Sequence, residues 1–315
     1  MRFGVVGTGG VGGYFGGLLA RAGLPVCFIA RGPHLEAMKT HGLAVESVEP
    51  GSFQVQDALF TDDPAEAGPC DVVLYCVKTP SNDTAIPFIG PMMGPDSLII
   101  SLQNGVDNGE LLAREYGEGR VMEGAAYVFS TIAGPGRIHQ TGGPRRIVFG
   151  RPGGGGSPRG EEIVGTMQQA GVTAHVSSDI RIELWNKFIL ICAVSGMTAL
   201  TRRPLGDILG YDGTARMARE VMREVYQLAL AVGIPLEPES DAANYRFMAQ
   251  QDPSGKGSMC HDVEAGRRLE IDSLCGYVSR MGRLHGVATP LNDFIHDTLK
   301  LEDLQAERRL RVETA

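Results

Sequence analysis

Seven residues into the chain, the apolar run RFGVVG reaches Gly7, Gly9 and Gly12, a G-x-G-x-x-G spacing that opens directly into the helical stretch VGGYFGGLLARAG. No other feature of the sequence restricts the fold as much. A strand, a tight glycine turn and a helix in immediate succession begin a βαβ unit. Gly7 permits the turn, Gly9 lets a backbone approach a pyrophosphate, and Gly12 lets helix and strand pack closely. Gly10 and Val11 stand at the helix N-terminus, where unpaired peptide N–H groups and the helix dipole attract an anion. In this setting the glycines read as a dinucleotide-binding turn.

The end of the next strand selects the dinucleotide. An NAD-type site expects an acidic residue about 20 residues on, accepting hydrogen bonds from the ribose 2′-OH. Here PVCFIAR ends on Arg31, nineteen residues after Gly12. A guanidinium at that place neutralises a 2′-phosphate and stacks on adenine, which favours NADP(H) over NAD(H). Lys78, closing the strand DVVLYCVK, is either a second cation for the same phosphate or an ordinary strand-end lysine.

Further along, DVVLYCVK, SLIISLQNG, RRIVFG and VTAHVSS are strand candidates, with the helical GEEIVGTMQQAG between the last two. Strands alternating with helices predict an α/β fold with a parallel sheet. After about residue 178 the pattern changes to helical segments over 179–201, 212–233 and roughly 258–285. A shorter helix near 290–302 and a charged tail follow. The expectation is therefore two domains, residues 1–177 of α/β class binding NADP and residues 178–315 all-helical. A chain of 315 residues is long enough for both. Residues 150–161, rich in glycine, read as a surface loop within the first.

Composition narrows the function classes. A net charge of −8 argues against nucleic acid as a partner, since phosphate backbones need a basic face. The six cysteines form no C-x-x-C pair and lie in apolar or helical contexts, which suits reduced thiols in a cytoplasm. The histidines show no metal-ligand spacing. The N-terminal apolar run is too short for a signal-peptide core. The apolar run 188–200 is shorter than the roughly 18 to 20 residues that cross a bilayer, so no membrane partner is expected.

One cation interrupts the most apolar helix. ELWNKFILICAVSGMTAL, residues 183–200, is apolar on every side of the helical wheel, with Lys187 as its sole positive charge. Such a lysine either snorkels its head to water or serves chemistry, because a dehydrated ammonium gives up its proton readily.

Taken in order, GTGGVGGYFGGLLARAG, CVKT, SLQNGVDN, ELWNKF, TAL, EAGRRLEID and HGVATPLND resemble the ketopantoate reductases (2-dehydropantoate 2-reductases), NADPH-dependent reducers of a 2-keto acid. The matching stretches run from residue 7 to about 293. The resemblance implies a Rossmann-type domain followed by an all-α domain of the 6-phosphogluconate-dehydrogenase-like kind, with the active site in the cleft between them. It implies Lys187 as general acid, with Glu270 binding substrate and positioning the hydroxyl group that forms. By the same resemblance Asn104 lies near nicotinamide and substrate, Ser258 contacts substrate, and Asp262 belongs to the same polar cluster. These roles suit the chemistry, because hydride delivery to a ketone builds negative charge on oxygen, which an ammonium stabilises and then protonates. On the residues alone, Asn104 could be a turn asparagine and Glu270 a helical partner of Arg267. Ser258 and Asp262 could be plain helix-start residues.

The chain departs from the family on the helix after the lysine. The family has asparagines one and two turns on, and here Ile191 and Ser195 stand there, while Leu269 replaces the threonine before the glutamate. Ile191 can neither donate nor accept a hydrogen bond, so a substrate hydroxyl would lose a partner. The expected activity is NADPH-dependent reduction of a 2-keto acid, 2-dehydropantoate foremost. A relative acting on a more apolar keto acid or carbonyl, an NADP(H)-binding sensor without turnover, and an enzyme running in the oxidising direction stay open. The apolar late helices could pair with a second copy of the chain in a homodimer.

Overall fold

The computed structural model describes residues 1–313, which divide into two compact units. One comprises residues 1–103 and 107–180, and the other comprises residues 104–106 and the chain from Arg181 on.

The described residues of the first unit form one ten-stranded sheet. Its strands are β1 (Phe3–Val6), β2 (Val26–Ile29), β3 (Leu43–Ser47), β4 (Phe53–Val55), β5 (Leu59–Thr61), β6 (Cys70–Tyr75), β7 (Met93–Ser101), β8 (Val121–Gly134), β9 (Arg137–Gly150) and β10 (Thr173–Val176). They lie in the order β4-β3-β9-β8-β7-β6-β1-β2-β5, with β10 beside β9. The run β5-β2-β1-β6-β7-β8 is parallel throughout. It has the doubly wound order of a dinucleotide-binding fold, whose strand order reverses between β1 and β6. The strands at that reversal are buried along nearly their whole length, as parallel strands covered on both faces must be.

The sheet is mixed, not the wholly parallel one the strand-helix alternation predicts. Strands β8 and β9 fold back on each other as an antiparallel hairpin, and β3 pairs antiparallel with β4. The hairpin turns at Pro135–Gly136, where proline presets the first turn position and Gly136 takes φ +69. The first half of β9 then borders β3 and its second half borders β10.

Six α-helices belong to the described residues of this unit: α1 (Gly10–Arg21), α2 (Gly32–His41), α3 (Pro64–Ala67), α4 (Asn82–Phe88), α5 (Asn108–Tyr116) and α6 (Pro158–Gln169). Helix α1 carries Gly10, Gly12, Gly13, Gly16 and Gly17, each costing about 1 kcal/mol of helix propensity against alanine. Packing offsets that cost. A Cβ on Gly12 would lie 2.9 Å from Val5, one on Gly16 would lie 2.7 Å from Val5 and Phe28, and one on Gly13 would lie 2.7 Å from Ile138. The glycines let the helix lie close against the sheet.

The second unit is helical: α7 (Ile180–Thr201), α8 (Leu205–Gly210), α9 (Asp212–Ala231), α10 (Ser240–Ala249), α11 (Ser258–Glu264), α12 (Cys275–His285) and α13 (Pro290–Glu313). Helix α7 is long and apolar enough to cross a membrane, but 61% of its most apolar window is buried within the protein. Trp185 and Phe188 of α7 meet Tyr277 of α12 in edge-to-face contacts at 6.2 and 5.8 Å. The buried Glu224 of α9 caps α13, accepting hydrogen bonds from the Leu291 and Asn292 N–H groups, both at 2.9 Å.

Two helix boundaries differ from expectation. The single helix expected over 258–285 is two, α11 and α12, because Gly266 at φ +62 ends the first and the Arg267 N–H turns back to the Asp262 carbonyl at 2.9 Å. The tail after 302 is helical through Glu313. Buried Asp303 and Ala306 anchor it, and Arg311 pairs with Glu307 one turn before.

Candidate active site

In the first unit the glycine turn sits where the strand order reverses. Gly7 adopts φ +91, and a Cβ there would lie 2.7 Å from the Val77 nitrogen, so the turn lies against the chain leaving β6. A Cβ on Gly10 would strike the Ser130 carbonyl at 2.2 Å, whereas one on Gly9 would meet nothing within 4 Å. The open side of Gly9, beside the N-terminus of the twelve-residue helix α1, fits a diphosphate group that comes close to backbone. Val11, next along, is half-buried.

Two residues that the sequence reading passed over hold this turn. The Thr8 hydroxyl donates to the Ile29 carbonyl at 3.0 Å. His34 Nε2–H donates to the Thr8 carbonyl at 2.9 Å, while its Nδ1 accepts from the Gly136 N–H at 3.0 Å. Those partners define the neutral tautomer, and burial lowers the ring's pKa in keeping with it. Nothing in local sequence marks His34, because both partners are backbone groups and one lies 102 residues away.

Arg31 stands at the N-cap of α2, exposed, with its guanidinium 5.1 Å from the Phe88 ring centroid. Lys78 is also exposed, at the exit of β6. Both cations thus occupy carboxyl ends of parallel strands, the edge at which such sheets bind ligands. Gln103, just before Asn104, is buried and donates to the Val77 carbonyl at 2.9 Å and to Asn82 Oδ1 at 2.7 Å. Asn82 in turn donates to Asn108 at 3.2 Å. This amide network fixes the backbone leading into Asn104, which itself is half-buried and grouped with the helical unit.

In the helical unit Lys187, Ile191 and Ser195 follow at four-residue intervals along α7, which places them on one stripe. Lys187 is half-buried, and its pKa falls from 10.5 to about 8 because burial strips water from the ammonium; the Glu270 carboxylate pulls it part of the way back. Glu270 is buried and lies in the non-helical segment between α11 and α12. Arg267, its expected partner, instead gives its Nε–H to buried Asp262 at 2.9 Å. Half-buried Ile191 packs against the apolar core of the unit, and Ser195 is buried.

Ser258 opens α11, exposed, and the chain entering that helix lies directly on α7. The Gly257 N–H donates to Thr198 Oγ1 at 3.1 Å, and a Cβ on Gly257 would lie 2.8 Å from the Ser195 Cα. The structure therefore brings Lys187 into the field of Glu270 and the start of α11 onto the Ser195 turn. It ties Asp262 to Arg267. Thr198, the contact between α7 and α11, was visible in sequence only as part of the TAL stretch.

Residues 3–154 match the family described as ketopantoate reductase PanE/ApbA, and residues 179–303 match the C-terminal part of that family. The chain is 30% identical over 309 residues to the uncharacterized oxidoreductase YkpB of Bacillus subtilis, covering 97% of this chain and all of that one. It is 30% identical over 335 residues to a 2-dehydropantoate 2-reductase of Mesorhizobium japonicum, covering 99% and 98%. A PanE/ApbA family ketopantoate reductase from Ralstonia eutropha JMP134 superimposes with a TM-score of 0.89 at 32% identity, covering 98% of this chain and all of that one.

Proposed function

The chain belongs to the ketopantoate reductase family of oxidoreductases, and on that premise we propose that it reduces a 2-keto acid to the 2-hydroxy acid with NADPH, 2-dehydropantoate being the foremost substrate. The single observation that carries the reading is Lys187, an ammonium whose pKa burial lowers to about 8, with Glu270 pulling the other way, so that it is still mostly charged at neutral pH. A group poised there is acid enough to give a proton and is still protonated when the reaction begins.

The chemistry a bound NADPH supplies is hydride delivery to a carbonyl carbon. Gly7, Gly9, Gly10, Val11 and Gly12 would hold its diphosphate, and Arg31 with Lys78 would read the 2′-phosphate. Lys187 stabilises the charge that develops on the substrate oxygen and protonates it. Glu270 holds Lys187 in its charged form and accepts a hydrogen bond from the resulting hydroxyl. Asn104 orients the carbonyl, and Ser258 and Asp262 complete the polar wall. Reduced thiols suit a cytoplasmic enzyme, and the six cysteines are free, five of them buried.

Ile191 and Ser195 favour a second reading within the same chemistry. An isoleucine on the Lys187 stripe offers no bond to a substrate hydroxyl, which supports a keto acid with an apolar side chain. A panel of 2-keto acids with NADPH separates the two. Highest kcat/KM on 2-dehydropantoate upholds the first reading, and highest kcat/KM on branched or aromatic keto acids upholds the second. No consumption of NADPH with any of them removes both.

A further inference from the structure

The segment carrying Glu270 has no helix or strand to hold it, yet it is fixed on both sides. Upstream, Arg268 Nε–H donates to Asp303 Oδ1 at 2.7 Å and Nη2–H donates to Oδ2 at 3.3 Å. The Leu269 N–H, adjacent to Glu270, donates to the same Oδ1 at 2.9 Å. Downstream, Lys300 Nζ joins Asp303 at 3.0 Å to Asp272 at 2.5 Å, and His296 Nε2 reaches Asp272 at 3.1 Å. Asp303 has no solvent exposure and lies on α13, more than thirty residues from the segment it holds. Burial alone would raise its pKa, but Arg268, the Leu269 N–H and Lys300 together bring it below the ordinary value.

We propose that Asp303 is a positioning residue for the Lys187–Glu270 pair, clamping residues 268–272 so that the Glu270 carboxylate stays in the field of the Lys187 ammonium. This rests on the reading of Lys187 as general acid. A buried carboxylate that bonds a main-chain N–H beside a functional side chain fixes that residue's backbone directly. Lys300 extends the grip to the far side of Glu270, so the side chain is held between two anchored points. The other charged groups in the cluster are Glu307, 3.6 Å from Arg268, Asp297, 2.9 Å from His296, and Arg280, whose Nη1–H donates to the Asp272 carbonyl at 3.0 Å. The Asp262–Arg267 pair lies upstream. Each of these acts on the clamp's rim, while Asp303 alone bonds the backbone next to Glu270.

The test uses the full chain with Asp303→Asn, Glu270→Gln and both together. Asparagine keeps an acceptor for the Leu269 N–H and gives up the charge that holds Arg268 and Lys300. The first readout is the Lys187 titration followed by carbon NMR of labelled lysine, which needs no turnover. Asp303→Asn is expected to move it downward by about one pH unit, in the same direction as Glu270→Gln, because the loosened carboxylate pulls less on the ammonium. Added to Glu270→Gln it is expected to change nothing further. In turnover, kcat falls roughly 10-fold to 100-fold with the Kd for NADPH unchanged. Should Asp303→Asn not fold, Lys300→Met removes one arm and is expected to give the same displacement at smaller amplitude. A Lys187 titration that Glu270→Gln moves and the clamp variants leave in place overturns the proposal, as does full additivity. A wild type inert on every keto acid overturns the functional reading alone, since the titration stands without it.

Discussion

Replacing Lys187 with methionine is expected to stabilise this protein at neutral pH. A pKa lowered from 10.5 to about 8 means that protonating Lys187 costs about 3 kcal/mol more in the folded protein than in an unfolded chain. The sign follows from proton uptake. Between about pH 8 and 10.5 the unfolded chain holds the proton and the folded one does not, so wild-type stability rises with pH across that window. Below about pH 8 the whole cost is present. Methionine has a similar length and no charge, and it packs readily on the apolar stripe of α7. Lys187→Met should therefore exceed wild type by up to about 3 kcal/mol near pH 6.5, with the gap closing toward about pH 10. Equilibrium urea unfolding at both pH values measures this directly, through midpoints at constant slope. A variant less stable than wild type by the same amount at both pH values would refute the reasoning. It would mean that the ammonium is hydrated and that Lys187 only snorkels.

Other expectations follow from the same geometry. Gly9→Ala meets no atom of the chain, so it should leave the melting temperature within a degree or two while weakening NADPH binding, read by nucleotide fluorescence. Gly12→Ala, whose Cβ would lie 2.3 Å from the Gly7 carbonyl, should lower both. Arg31→Ala should raise the Kd for NADPH by roughly 10-fold to 100-fold, consistent with losing a charged hydrogen bond of about 1.5–3 kcal/mol, and leave that for NADH nearly unchanged. Glu224→Leu strips the cap from α13 and should cost about 1–3 kcal/mol in urea unfolding.

What could be read from sequence was what local physics determines. The glycine turn, the buried strands around it and the apolar helix α7 depend on neighbours a few residues away, and their periodicity shows them. Strands β3, β4 and β5 did not announce themselves, because three to five residues of mixed polarity carry no period. The hairpin of β8 and β9 was half visible, as RRIVFG alone, since its outer half is largely exposed, Phe129 and Ile132 included, and lacks the continuous apolar run of a buried strand. The expected helix across 265–274 failed for a different reason. Its composition is helical, but Gly266 and the Asp262–Arg267 pair end α11 there, and Asp303 fixes the Glu270 segment from 33 residues away. Likewise, Arg267 three residues before Glu270 pointed to a helical pair, whereas the partner it takes is Asp262. His34 and Thr8 carry no signal at all, because they hold the glycine turn through backbone carbonyl and N–H groups.

The central claim, that Lys187 is the acid of a keto-acid reductase, is tested most directly by the pH dependence of turnover. With NADPH saturating and the best keto acid of the panel, kcat should stay level below about pH 8 and fall tenfold for each further pH unit. Lys187→Met should lose nearly all activity at every pH. A wild-type profile flat through pH 8 to 10, or a methionine variant that keeps wild-type turnover, would contradict the assignment.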